Sequence, residues 1–187
     1  MANSDLTPAA GVVLIAPPMM DDPHFKRTIV LLCEHGVEGS FGLILNRTLS
    51  LQLSEVVEDM TEYTGYLSLG GPVQPNTLHV LHRHGERVGE TREIVDAVFW
   101  GGDFDAIQSM LSNHEAADDE FRFFLGYAGW SPGQLDAEIE QGAWILARTD
   151  ESMIFTAEPS RLWGEAMRRL GGEYALLANF PEDPRMN

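Results

Sequence analysis

The chain has 187 residues, 44% of them hydrophobic and 22% charged, which suits one packed domain and excludes wholesale disorder. Acidic residues outnumber basic ones 29 to 12, and the formal net charge of −17 repels phosphate backbones and anionic lipid heads. The single cysteine, Cys33, excludes an internal disulfide framework and is typical of a reducing compartment.

The first apolar stretch, residues 9–20, predicts a strand and not a secretion signal. Asp5 precedes it with no Lys or Arg, and Pro17 and Pro18 interrupt it. The longest aliphatic run elsewhere, residues 29–33, is far shorter than the ~18 apolar residues of a membrane-spanning helix. We therefore expect no membrane association.

Short runs rich in Val, Ile and Leu predict three strands in the first third of the chain, at residues 12–16, 28–34 and 41–47. Gly36 and Gly39 predict a hairpin between the second and the third. Because residues 29–33 are apolar at every position, we expect this strand to be covered on both faces.

Apolar residues at helical spacing predict amphipathic helices at residues 53–60 and 104–111. Ser131 and Gln134 have the spacing of a capping box for a third helix, and Ser160 can cap a fourth that ends at Gly171. Further strands are predicted at residues 78–81, 121–127, 143–147 and 176–178. We expect one domain over residues 1–187, with room for a small appended lobe around 74–120.

No phosphate-binding loop and no dinucleotide fingerprint occurs, so we expect no cofactor. His82 and His84 have the spacing of two metal ligands on one strand face, but Arg83 and Arg87 flank them. We therefore expect an exposed hairpin end and no metal site. Cys33 follows four aliphatic residues and is interpreted as a core thiol, not a nucleophile. No catalytic residue is predicted.

Residues 124–135 form the most specific local pattern. Two glycines bracket Tyr127 at a strand end, and Trp130 precedes the capped helix, which predicts an aromatic ledge for a ligand or a rigid packed corner. Gln134 and Glu138 share one helix face and could add polar contacts. If the ledge binds a ligand, Glu138→Gln should leave stability nearly unchanged.

These motifs resemble, in their order along the chain, those of the bacterial YqgE/AlgH family. The matching stretches are residues 11–18 with Asp22, Pro23 and Phe25, residues 28–35, 42–47, 70–73 and 121–135 with Glu138, and Trp163. The resemblance implies an α+β fold with a mixed, partly barrel-like β-sheet flanked by helices, in bacterial cytoplasm. It implies no catalytic residue set, and some members are described as transcriptional regulators.

The charge balance argues against direct nucleic-acid binding, because phosphate contacts need a basic surface. We therefore expect a non-catalytic regulatory or binding protein with an unknown protein or small-molecule partner. The candidate ligand- or partner-binding residues are Asn46, Arg47, Gly70, Gly71, Pro72, Tyr127, Trp130, Gln134 and Glu138. The alternative is a small-molecule hydrolase with an unrecognised acid/base site, which needs a residue of strongly shifted pKa in a cleft.

Overall fold

The computed structural model describes residues 6–58 and 60–179, and ten strands and six α-helices lie in these ranges. The strands are β1 Val12–Ile15, β2 Ile29–Gly36, β3 Gly39–Ile44, β4 Thr48–Gln52, β5 Tyr66–Leu69, β6 Val73–His82, β7 Thr91–Val95, β8 Val98–Gly101, β9 Phe121–Trp130 and β10 Ile145–Arg148. The helices are α1 Gly85–Val88, α2 Phe104–Ser112, α3 Gln134–Glu140, α4 Glu151–Ile154, α5 Leu162–Leu170 and α6 Gly172–Leu177.

The strands form one curled, half-barrel sheet in the order β10-β1-β2-β3-β9-β6-β8-β7. Two further strands branch from it: β5 pairs with β9 in parallel, and β4 pairs with β5. The other pairings of this sheet are antiparallel. The α+β class with a mixed, partly barrel-like sheet is confirmed, whereas the division into one domain with a lobe around residues 74–120 stays a prediction.

Strand β2 is covered on both faces, as its continuous apolar run predicts. Leu31 and Cys33 belong to a core that includes Trp163 and Met167 of α5. The alternate residues Val30 and Leu32 belong to a second core with Trp130, Leu135 and Trp144. A third core lies between α2 and the strands β6 and β9. Side chains alternate across a strand, so each face of β2 meets a different layer.

The predicted helix at residues 53–60 is wrong beyond its first turn. A short 3-10 helix spans Leu53–Glu55, and the chain then leaves helical geometry. Val56 is 44% exposed, so the apolar spacing does not form a buried stripe. The adjacent β-branched residues Val56 and Val57 also have low helix propensity. Without packing, one turn is not extended.

The predicted strand at residues 176–178 is also wrong, because residues 172–177 form α6. A short apolar run does not separate strand from helix, and Ala175, Leu176 and Leu177 are strong helix formers. The other helix ends agree in part. Gly171, with φ of 74°, ends α5, whereas α5 begins at Leu162 after a 3-10 turn at Pro159–Arg161. None of the helices in the described ranges has the length and apolarity needed to span a membrane.

Candidate binding site

One carboxylate holds the corner between β9 and α3. Glu138 Oε2 accepts hydrogen bonds from the indole Nε1 atoms of Trp130 and Trp144, each at 2.8 Å. Its Oε1 accepts a third from Nε2 of Gln134 at 2.9 Å. Both indole rings are buried, and the ring of Phe25 packs against each of them. Because a buried N–H without an acceptor is costly, Glu138 allows two tryptophans to pack here.

Tyr127 and Trp130 lie on opposite faces of β9, so the predicted ledge with both rings is not formed. Tyr127 packs on the core under α5, and Trp130 packs on the core that contains Leu135. The apolar pattern predicts a strand that ends at Tyr127, but β9 continues to Trp130. Residues three apart in a strand face opposite sides.

The predicted capping box is half present. Gln134 Oε1 accepts a hydrogen bond from the backbone N–H of Ser131 at 3.0 Å, which is the reciprocal half of the box. The Ser131 hydroxyl does not cap α3. Gly133 takes the N-cap position in the left-handed conformation, and the helix begins at Gln134.

Tyr127 belongs to an aromatic cluster formed by Phe41, His79, Trp100 and Tyr127. The ring of Phe41 stacks on Tyr127 at a centroid distance of 4.6 Å and lies 4.7 Å from Trp100. His79 meets Tyr127 edge-on at 5.7 Å. All four residues are half-buried, so the cluster presents part of its aromatic surface to solvent.

Gly70 and Gly71 allow β5 and the following turn to cross close to β9. A Cβ at Gly70 would lie 2.2 Å from the carbonyl oxygen of Gly126, and one at Gly71 would lie 2.1 Å from the carbonyl carbon of Tyr127. Neither position accepts a side chain without moving backbone. Pro72 follows in an exposed position. The structure therefore brings Gly70, Gly71 and Pro72 beside Tyr127, where both glycines have a structural role.

Asn46 and Arg47 tie the chain after β3 to the turn before β2. Asn46 accepts a hydrogen bond from Ile29 N at 2.9 Å and donates one to Arg27 O at 2.8 Å. Arg47 Nη2 donates to Lys26 O at 2.9 Å. Asn46 therefore caps this turn.

The same two residues line a cavity of about 350 Å³, the basic pocket, at the junction of this turn with the start of α5. Its lining residues are Lys26, Arg27, Asn46, Arg47, Ser160, Arg161, Trp163, Gly164, Arg168 and Ala178. Five of the twelve basic residues of the chain thus line one cavity, and none of the described residues that line it is acidic.

The prediction of an exposed histidine hairpin is wrong for His82, whose side chain is fully buried. Its Nδ1 accepts a hydrogen bond from His84 N at 3.1 Å, so Nε2 carries the proton and donates to Gly101 O at 2.9 Å. Burial lowers the pKa of His82, because it disfavours the charged ring. The hydrogen bond to Gly101 acts in the opposite direction but does not cancel this effect. His82 is a neutral structural residue at neutral pH.

This burial predicts an acid-sensitive fold. The pKa of His82 is below the 6.5 of an unperturbed histidine, so the unfolded chain takes up a proton first as the pH falls. Stability is then fully present above about pH 6.5 and decreases below it. Chemical denaturation at pH 7.5 and 5.5 should show this decrease in the free energy of unfolding. His82→Asn should make the difference between the two pH values smaller. The exposed His114, whose φ of 54° suits asparagine, offers His114→Asn as the control variant.

Cys33 is buried, as predicted, and burial raises the pKa of its thiol. The thiolate that a nucleophile needs is therefore disfavoured. Across residues 6–58 and 60–179, no group of three or more His, Cys, Asp or Glu side chains is arranged to hold a metal ion.

Arg122 is a central polar residue that the sequence reasoning missed. Its guanidinium donates to Ile154 O at 2.7 Å, Leu45 O at 2.8 Å and Ser68 Oγ at 2.9 Å, and so joins β9 to three other segments. Burial lowers its pKa to about 10. A single arginine inside the apolar run of residues 121–125 was the signal for such a buried, hydrogen-bonded cation.

Arg122 also lines a second cavity of about 420 Å³ together with Tyr63, Thr64, Ser68 and Asp118. Burial raises the pKa of Tyr63 to about 12, and its hydroxyl donates to Phe121 O at 3.3 Å. Two groups with shifted pKa values therefore share this cleft, but both shifts preserve the ordinary protonation states at neutral pH.

The fold defines the class of this protein, a single-sheet α+β protein. Comparison with known proteins shows the family within this class. The family model described as "DUF179: AlgH-like" matches residues 13–175. A UPF0301 protein of Chlorobium luteolum is 44% identical over 179 residues, which cover 96% of this chain and 95% of the relative. A UPF0301 protein of Chlorobaculum tepidum is 44% identical over 177 residues, with 95% of each chain covered. The chain therefore belongs to the AlgH-like family.

Two solved structures share the fold. A protein of Corynebacterium diphtheriae has a TM-score of 0.80 at 26% identity and covers 94% of each chain. The AlgH protein of Pseudomonas aeruginosa, known from a solution structure, has a TM-score of 0.74 at 31% identity and covers 97% of this chain and 98% of its own. The resemblance inferred from the motifs is thus confirmed at the level of the family.

Proposed function

We propose that this protein is a non-catalytic binding protein with a regulatory role in bacterial cytoplasm, acting through a protein or small-molecule partner. The observation that carries the proposal is the basic pocket, where five cationic side chains converge in a chain of net charge −17. Charged groups of one sign repel one another, so a cavity lined in this way favours an anionic occupant. Asn46 and Arg47 are the predicted site residues that belong to it.

The same charge balance supports indirect regulation. A protein that binds duplex DNA contacts many backbone phosphates along an extended basic surface. The basic pocket is a single site in a molecule whose net charge is strongly negative. The basic residues Arg83, Arg87 and Arg92 each form an ion pair with a glutamate, which reduces their electrostatic field. Direct DNA binding is therefore not part of the proposal.

The aromatic cluster is the proposed place for a protein partner. Its rings are half-buried and Pro72 is exposed nearby, and aromatic side chains are enriched in interfaces. Trp130, Gln134 and Glu138 have their polar atoms bonded within the protein, so we place them outside the proposed site.

The hydrolase alternative is favoured by the cleft that holds Tyr63 and Arg122. Shifted pKa values in a cleft are a feature of active sites. General acid–base catalysis, however, works best with a pKa near the operating pH, and the values of about 12 and about 10 are far from it. Binding is therefore the better-supported function.

The proposal is tested by equilibrating the purified protein with a bacterial metabolite extract, separating it by gel filtration and identifying small molecules by mass spectrometry. We expect at least one anionic compound to elute with the protein chemically unchanged. Depletion of any compound beyond the molar amount of protein would indicate an enzyme and contradict the non-catalytic function.

A further inference from the structure

We propose that the basic pocket binds a small molecule that carries a diphosphate group or two phosphate groups. This inference rests on the proposed function and deepens it by naming the ligand class. The residues that line the pocket come from segments that are far apart in the chain. Residues 26 and 27 precede β2, and residues 46 and 47 follow β3. Residues 160 and 161 lie in the 3-10 turn before α5, and residues 163, 164 and 168 lie in α5. Tertiary folding alone brings these cations together.

Two of the arginines that line the pocket form no ion pair with a described residue. Over residues 6–58 and 60–179, neither Arg47 nor Arg168 has an ion-pair partner, whereas Arg161 pairs with Glu158 at 2.6 Å. Glu165 adds a weaker attraction to Arg161. An anion in the pocket would supply the missing counter-charge.

The pocket has a rigid floor with space above it. Trp163 is buried and donates from Nε1 to Ala16 O at 2.8 Å, and the Arg27 guanidinium lies 4.7 Å above its ring. Gly164 has no side chain to fill the space, and a Cβ there would lie 3.4 Å from Nη1 of Arg168. Lining groups held in this way lose less freedom when a ligand binds.

The number and type of cations favour phosphate over a single carboxylate. Four of the five cations are arginines, whose planar forks donate pairs of hydrogen bonds to phosphate oxygens. One carboxylate can engage one such fork, while a diphosphate offers several negative oxygens to different arginines. A volume of about 350 Å³ is at the small end for ligand sites, which typically hold ~300–1,000 Å³. A small molecule fits these features better than a nucleic acid.

The test is a calorimetric titration of the whole protein with inorganic pyrophosphate at constant ionic strength. We expect saturable binding with a Kd below about 1 mM. Arg168→Gln, a change at an exposed residue, should weaken binding at least about tenfold, or about 1.4 kcal/mol. Arg169→Gln is the matched control. It removes the same charge from the adjacent exposed position, which lines a different cavity with Arg148, and should weaken binding less than about twofold.

The two variants distinguish binding in the basic pocket from a general attraction of anions to the protein surface, and the choice of ligands tests the ligand class. Equal weakening by Arg168→Gln and Arg169→Gln, or no binding of pyrophosphate, would overturn the inference, and so would tighter binding of a single-stranded oligonucleotide at equal phosphate concentration. Release of orthophosphate in many turnovers would support the ligand class and contradict the non-catalytic function. If the protein retains an unphosphorylated compound from the extract and pyrophosphate gives no binding signal, the proposed binding function is kept and the phosphate ligand class is rejected.

Discussion

Trp130→Ala should lower the free energy of unfolding by about 3–5 kcal/mol, because it removes a buried aromatic ring and leaves a cavity. Trp130 is 6% exposed and contacts both Phe25 and Trp144. The substitution also removes one of the donors to Glu138. Denaturant unfolding followed by circular dichroism measures the change. Tyr66, an aromatic residue of β5 that is 57% exposed, provides the control, and Tyr66→Ala should cost well under half as much.

Glu138→Gln tests the polar half of the same corner. The carboxylate accepts three hydrogen bonds, whereas the amide has one acceptor oxygen and an NH₂ group that would face a donor. We expect a loss of about 1.5–3 kcal/mol, the usual range for hydrogen bonds to a charged group. This reverses the expectation for a ligand-binding ledge, in which stability is nearly unchanged. A melting temperature equal to that of the wild-type protein would return Glu138 to the binding candidates.

Arg122→Met should cost about 3 kcal/mol or more. It removes the donor to the carbonyls of two buried residues, Leu45 and Ile154, and each unsatisfied buried acceptor costs ~1–3 kcal/mol. The Ser68 hydroxyl loses a partner as well. The same unfolding assay applies. Arg148→Met, at an exposed position of β10, should change stability by less than about 0.5 kcal/mol.

A fully stable Arg122→Met protein would mean that the cost of desolvating the guanidinium equals the gain from its hydrogen bonds. In that case methionine, which packs on Phe124 as well as the present cation does at 5.0 Å, would be a neutral replacement. The position would then have no stabilising role, and its place in the cleft beside Tyr63 would need a functional explanation.

Strands and their burial could be predicted because each depends on a short run of sequence. The apolar run of β2 predicts burial on both faces, and Cys33 follows from the same run. The prediction of an aromatic ledge at Trp130 is wrong for a local reason. The predicted strand ends three residues too early, so Trp130 is not assigned to the face of β9 opposite Tyr127.

The basic pocket could not be predicted from spacing. Lys26, Arg47 and Arg168 are far apart in the chain, and only the pairing of β2 with β3 and the packing of α5 bring them to one cavity. Arg161 and Arg168 both fall in the helix that the sequence predicts after Ser160, but the helix pattern does not show which part of the protein they face. Site residues contributed by different segments need the tertiary fold, whereas residues within one strand do not.

The bond from Trp163 to Ala16 has a consequence for synthesis, because it joins residues 147 positions apart. The ribosome makes β1 and β2 early, but the helix that covers one face of β2 emerges only after residue 160. At ~5–20 residues per second, the interval between Cys33 and Met167 lasts roughly 7–27 s. During this time the nascent chain exposes an apolar strand surface that includes Leu31, a template for chaperone binding or for pairing with a neighbouring nascent chain.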